Sequence, residues 1–284
     1  MTWKINNSLR AATLVTLFAL AGSALSFAGE FEALAPQGAG QEVDVALVLT
    51  VDVSGSIDYG EAELQRKGIA EAFLSREVVQ AIQSGSRGQI AVSVVYFSSR
   101  DYGVMSVPVN WTIVRDQQSA QEFVSRFLGA QRQRGIGTSI SDALLLSQHT
   151  LAALPYRTTK QVIDISGDGV NNAGRPVLQV REEVLAKGVT INALPIMDDT
   201  TPDDLDRYFQ ACVIGGPAAF VLPAKGFTDF ARAMRRKLVL EISGLTPEES
   251  ADSLLVKVAA VPQPRPAPRA NAPSYPGGCD FPMF

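Results

Sequence analysis

The chain alternates between compact apolar runs and amphipathic stretches of helical spacing. Val43 to Val51 reads VDVALVLTV, valine-rich and nearly continuous. That pattern suits a strand buried on both faces of a sheet covered by helices. A helix is predicted from Tyr59 to Ser75, with Asp58 and Glu61 at the spacing of an N-terminal capping box. Two further apolar runs, Gln89–Phe97 and Val104–Trp111, are separated only by Ser98–Gly103. That gap is too short for a crossover helix, so the third strand is predicted to run antiparallel to the second. Pro108 within it places it at a sheet edge, because proline has no N–H for a ladder.

Helical patterns follow at Ser119–Leu128 and Ser139–Ala153. The order then repeats as strand Gln161–Ser166, helix Val177–Lys187, strand Val189–Ala193, helix Pro202–Ala211, short strand Ala218–Leu222 and helix Phe227–Ile242. The alternation predicts an α/β fold: a doubly wound, mostly parallel six-stranded sheet with one antiparallel edge strand and helices on both faces. The expected domain covers residues 43–245, after a lead-in linker at 29–42. A flexible Pro-rich tail is expected over 246–284, where Pro262, Pro264, Pro266, Pro268, Pro273 and Pro276 crowd together.

Residues 1–28 have a different character. Lys4 and Arg10 precede an apolar run that closes on Ser26-Phe27-Ala28, the pattern of a secretory signal peptide. The alternative, an uncleaved anchor, is opposed by Gly22, Ser23 and the Ser-x-Ala site. No later stretch has the apolar length of a membrane span. The expected location is therefore periplasmic or secreted. In such an oxidising compartment the two cysteines, Cys212 and Cys279, are read as one disulfide. The alternative is a buried Cys212 and a free Cys279.

Composition removes several function classes. One histidine, His149, and two cysteines exclude zinc sites built from four cysteines, two cysteines with two histidines, or three histidines. Loss of Lys4 and Arg10 with the leader takes the net charge from −4 to −6. Nucleic acid is therefore not an expected partner, because such binding requires concentrated positive charge.

Three segments carry candidate chemistry. The first strand ends in Asp52-Val53-Ser54-Gly55-Ser56, where alternate residues share a side and present one carboxylate and two hydroxyls to one point. Taken alone, this is equally a turn with a helix cap. A glycine-flexed loop, Gly135-Ile136-Gly137-Thr138-Ser139, sets Thr138 just before a helix. The strand Val162–Ile165 leads into Ser166-Gly167-Asp168-Gly169. In a doubly wound sheet, ligands bind at the C-terminal ends of the strands where the connections diverge, and Asp52 and Asp168 both belong there.

This set resembles the von Willebrand factor A (vWA) domain family and its metal-ion-dependent adhesion site. The match covers about Val43 to Ile242, with Asp52, Ser54, Ser56, Thr138 and Asp168 at the five site positions. The leader and the Ser-Gly-Asp-Gly turn are similar to a bacterial exported branch of unknown function. The resemblance implies that Ser54, Ser56 and Thr138 touch an ion, while Asp52 and Asp168 act directly or through water. An all-oxygen donor set independently selects a hard cation: Mg2+, or Mn2+ or Ca2+. Three neutral hydroxyls leave much of the dication's charge unquenched, so an incoming carboxylate can complete the shell. The expected function is exported binding of a protein ligand that presents Asp or Glu, without catalysis. A Mg2+-dependent phosphoryl hydrolase using Asp52 and a metal-free scaffold are the alternatives.

The remaining candidates have plainer readings. Asp164 lies mid-strand, where a charge needs a partner. It is either an outer residue orienting the metal loops or an aspartate bonded to nearby backbone amides. Arg132 and Arg134 either rim the site or belong to a solvated loop. His149 is read as a packed or surface residue. Asp198, Asp199, Asp203, Asp204 and Asp206 are read as caps and dipole partners near a helix start, with a second calcium site as the alternative, and Arg232, Arg235, Arg236 and Lys237 as the exposed side of the last helix.

Overall fold

All seven residues of β1 (Ala46–Asp52) are buried, as its unbroken apolar run requires. The computed structural model describes residues 40–101, 103–199, 201–250, 275, 278 and 279. The expected leader, most of the linker and most of the Pro-rich tail lie outside the described residues. After β1 come α1 (Tyr59–Leu74), α2 (Arg76–Gln83), β2 (Ile90–Phe97), β3 (Met105–Val114), α3 (Gln117–Gly129) and α4 (Ile140–Ala152). Then follow β4 (Gln161–Gly167), α5 (Val177–Leu185), β5 (Thr190–Pro195), α6 (Leu205–Tyr208) and α7 (Phe230–Ser243). A π-helical turn, Phe209–Val213, continues α6, and a 3-10 turn, Phe227–Asp229, leads into α7.

The sheet order is β3-β2-β1-β4-β5, parallel throughout except for the antiparallel β2–β3 pair. The period of two along β1 sorts its side chains into two layers. Leu47, Leu49 and Val51 pack with Ile69 and Phe73 of α1, Phe123 and Phe127 of α3, and Phe230 and Leu238 of α7. Ala46 and Val48 pack with Ile140 and Leu144 of α4, Val177 and Val180 of α5, and Tyr208. This is the expected doubly wound α/β fold, with β3 as the antiparallel edge strand carrying Pro108.

The expected sixth strand is a correction, since among the described residues the sheet has five strands. The segment around Ala218–Leu222 runs beside β5 and makes isolated bridges: Ala193 N donates to Phe220 O and Leu222 N donates to Ala193 O. Pro217 and Pro223 have no N–H to give, and Ala218 sits at φ +57, so no continuous ladder forms. A second difference is α2 (Arg76–Gln83), where no element was expected: the helix predicted from Tyr59 ends at Ser75, as α1 does. Ser75 ends α1 in extended backbone and its Oγ accepts from Val78 N, capping α2 at once.

Cys212, in the π-helical turn, is disulfide-bonded to Cys279, with Cα atoms 5.5 Å apart. Tyr208 Oη donates to Cys279 O at 3.1 Å, and the Tyr275 ring meets Tyr208 edge-on. Among the described residues no helix is long and apolar enough to cross a membrane.

Candidate metal centre

β1 and β4 are neighbours, with Val51 paired to Ser166, so both strands deliver their last residues to one edge of the sheet. Asp52 closes β1, and Asp168 stands just past Gly167 at the end of β4. Asp52 is fully buried. Its Oδ1 accepts from Ser54 N at 2.8 Å, which folds the chain back over the carboxylate. Gly167 is required opposite it, because a Cβ there would lie 2.8 Å from Asp52 Oδ2. The hydroxyls of Ser54 and Ser56 are 3.0 Å apart, and Ser56 Oγ donates to Asp168 Oδ1 at 2.9 Å. Four of the five expected residues thus form one hydrogen-bonded chain.

Thr138 reaches the same edge on a separately held loop. Gly135 N donates to Val53 O, Ser99 N to Ile136 O and Ser139 N to Ser98 O, which lace the loop to the exits of β1 and β2. Gly137 has φ +71, a left-handed conformation that glycine adopts without a steric penalty. The Thr138 side chain lies over the turn after β4: a Cβ on Gly169 would be 3.6 Å from Thr138 Oγ1. Asn172 clamps Thr138 from both sides. Thr138 N donates to Asn172 Oδ1 at 2.8 Å, and Asn172 N donates to Thr138 O at 2.9 Å. The sequence reading missed Asn172, although an Asn-Asn pair shortly after an Asp-Gly turn is a visible signal of backbone capping.

The electrostatics favour a cation. Burial, and then the neighbouring charge of Asp168, raises the Asp52 carboxyl to about 8. Burial also raises Asp168; the Ser56 hydrogen bond opposes this, and the charges of Asp198 and Glu61 add to it. Asp52 Oδ2 is buried with no hydrogen-bond partner among the described residues. Two desolvated carboxylates, one orphaned oxygen and adjacent hydroxyls are a donor set that fits a hard dication. Among the described residues no group of three or more His, Cys, Asp or Glu is arranged to hold a metal.

Other residues fall differently. Asp164 pairs with Leu49 across β1–β4 and points with Val162 toward the α7 side of the sheet. There it meets Lys237, not the metal loops and not backbone amides, and Lys237 is itself buried rather than on the exposed side of the last helix. Arg134 donates to Gly55 O at 2.6 Å and Arg132 to Asp58 O at 3.1 Å, while Arg132 stacks 4.2 Å over Tyr59. Both arginines fasten the serine loop. Tyr59, which opens α1 just after the serine loop, and Ile136, on the Thr138 loop, are each 70% exposed.

Fold and site together define the class: an α/β domain of the vWA-like fold, with clustered oxygen donors at the C-terminal edge of its sheet. Residues 42–246 match the family described as protein of unknown function (DUF1194), and the chain belongs to that family. No curated protein matches it. Among solved structures, the pilus adhesin SpaC of Lactobacillus rhamnosus GG is similar at 16% identity and a TM-score of 0.54, over 73% of this chain and 32% of that one. Proximal thread matrix protein 1 (PTMP1) of the mussel byssus is similar at 17% identity and a TM-score of 0.52, over 72% and 49%. A structure of the same mussel protein with a zinc-occupied MIDAS motif aligns at 18% identity and a TM-score of 0.50, again over 72% and 49%. The chain thus spans between a third and a half of the length of these proteins, and the likeness is one of fold.

Proposed function

We propose that this protein is an exported binding module that engages an acidic group of a protein partner through a divalent cation. Asp52, Ser54, Ser56, Thr138 and Asp168 would hold the ion. The observation that carries this reading is the chain from buried Asp52 through Ser54 and Ser56 to Asp168. Its orphaned Oδ2 and mutually repelling carboxylates call for positive charge. Mg2+ suits a site with few direct protein ligands because it retains waters; the zinc in the mussel protein's motif makes Zn2+ the control ion. An ion held largely by neutral hydroxyls keeps most of its charge and attracts a carboxylate. The apolar side chains of Tyr59 and Ile136 beside it would contribute burial on docking. Export rests on the leader pattern of residues 1–28.

The test has two arms. Mg2+ or Mn2+ at a hundred times its dissociation constant stabilises a folded domain by about 2.7 kcal/mol, or about 5–10 °C in Tm for a domain this size. Asp52→Ala should abolish that rise. Capture of envelope proteins by the immobilised chain should then require the cation and fail with chelator. Thr138→Ala should weaken capture more than it weakens folding. A wild type indifferent to every divalent ion overturns the reading. Turnover of a phosphate ester that vanishes in Asp52→Asn would replace it with the hydrolase.

A further inference from the structure

On the opposite side of the sheet from Asp52, α7 buries a lysine and a glutamate. Lys237, Asp164 and Glu241 have fully inaccessible side chains, with Lys237 Nζ 2.6 Å from Asp164 Oδ1 and 2.5 Å from Glu241 Oε1. Asn192 Nδ2 donates to Glu241 Oε1 at 2.8 Å and fixes that carboxyl from β5. The Phe220 ring lies over the amine at 5.4 Å. Val162, Leu194, Met234 and Leu238 belong to the apolar cluster that packs α7 on the sheet. Asp164 Oδ2 and Glu241 Oε2 have no hydrogen-bond partner among the described residues.

As an ion network this is poorly balanced. Two carboxylates share the Lys237 ammonium, while Lys160 Nζ donates only to the backbone carbonyl of Glu241, and two buried oxygens are unsatisfied, in a setting where even matched pairs barely offset desolvation. As a set of reactants it is well placed. Burial, and then the charge of Glu241, raises the Asp164 carboxyl to about 8, which keeps its neutral acid form available at neutral pH. Nucleophile and electrophile are held together in a dry site, where effective molarities of about 10^5–10^8 M are reached.

We infer that Lys237 and Asp164 condense into an intramolecular amide bond, with Glu241 as the proton carrier. Nζ, relieved of its extra proton by Glu241, attacks Cγ of the protonated Asp164, forming the N–C bond. Glu241 delivers that proton to the departing hydroxyl and accepts one from the nitrogen, so the C–O bond breaks and one water leaves. The sum is amine plus carboxylic acid giving amide plus water, with no oxidant, reductant or activating group. The product removes the Lys237 ammonium, leaves its proton on Glu241, and ties α7 covalently to β4. Nothing in this chemistry depends on the metal centre, so the two readings stand or fall separately.

The experiment is mass spectrometry of the full purified chain, denatured and reduced, with its N-terminus sequenced to fix the expected mass. The wild type should be lighter than its sequence by one water. Trypsin should fail to cut after Lys237 and should yield a branched peptide joining 161–181 to 237–257. Asp164→Ala and Lys237→Met should show the full sequence mass, and Glu241→Gln should show it wholly or predominantly. A wild type of unmodified mass that is cut after Lys237, even after prolonged incubation folded, overturns the proposal; this outcome needs no variant to fold. A bond mapped from Lys237 to Glu241 or Asn192 overturns it as well. A Glu241→Gln chain linked as completely as the wild type also counts against it.

Discussion

Ser56 Oγ donates a 2.9 Å hydrogen bond to Asp168 Oδ1, joining the exit of β1 to the exit of β4. Neither strand's own ladder requires that bond. It makes the two segments one unit, and its donor and acceptor are both atoms that a dication would take as ligands.

Ser56 is exposed, so Ser56→Ala should alter metal binding far more than stability. Loss of one partly exposed hydrogen bond costs about 0.5–1.5 kcal/mol. Loss of a ligand hydroxyl should reduce Mn2+ affinity at least about tenfold, since hydrogen-bonded neighbours of metal ligands alone are worth that much. Calorimetric titration of the purified chain with Mn2+, beside urea unfolding without metal, separates the two effects. Unchanged affinity would remove Ser56 from the site.

The glycines of the β4 turn offer a steric contrast. Gly167→Ala places a methyl 2.8 Å from Asp52 Oδ2, whereas Gly169→Ala places one 3.6 Å from Thr138 Oγ1. The first contact is a clash with a fully buried carboxyl and should destabilise by about 1–3 kcal/mol, as overpacking does. It should also displace Asp52 and abolish the metal-dependent rise in Tm. The second is an ordinary contact and should keep both stability and metal response. Equal behaviour of the two variants would mean that Asp52 adapts freely.

Most of this architecture is legible in the sequence because burial on both sheet faces leaves unbroken apolar runs, as in Ala46–Val51. The hairpin was readable from the short Ser98–Gly103 gap, and the edge position of β3 from Pro108. The clustering of Asp52, Ser54, Ser56 and Asp168 follows once β1 and β4 are neighbours. Three features were hidden for physical reasons. The end of α1 at Ser75 was readable, but α2 was not: it is only eight residues long and starts at once on the serine that ends α1. The partner of Asp164 lies on α7, and a lysine among Arg235 and Arg236 looks like surface charge until the helix is docked. Asn172 acts through backbone groups of Thr138, a pairing fixed only when the two loops meet.

Acid should weaken the fold through carboxylates that are hydrogen-bonded in the folded state. Hydrogen bonds from Ser119 N and then its hydroxyl hold the Asp116 carboxyl below its ordinary value, and the Arg232 guanidinium does the same for Asp229. A carboxylate whose folded value is depressed contributes stability above its unfolded value, near 4. That contribution is lost as pH falls through the lower folded value. Tm should therefore drop below about pH 4. Asp116→Asn should keep the cap of α3 yet show a shallower drop, while Asp116→Ala should lose about 1 kcal/mol at neutral pH. A Tm profile from pH 7 to pH 2 reads all three; identical acid slopes in wild type and Asp116→Asn would exclude Asp116 as a contributor.

The Cys212–Cys279 bond closes a sequence separation of 67 residues. In the chain-entropy account a loop of that length stabilises by up to about 4 kcal/mol, by restricting the unfolded chain. Reductant should therefore lower the urea midpoint of the wild type, and Cys279→Ser should start at the lower value and ignore reductant. The bond also holds Tyr275 against Tyr208, whose hydroxyl donates to Cys279 O and accepts from Asn171 N. Because Asp52, Ser54, Ser56 and Asp168 are held by β1, β4 and their own hydrogen bonds, reduction should leave the metal-dependent rise in Tm in place. If reduction instead abolishes that rise while the chain stays folded, the path from Tyr208 through Asn171 to the Asn172–Thr138 clamp governs the site, and the sheet edge alone does not hold it.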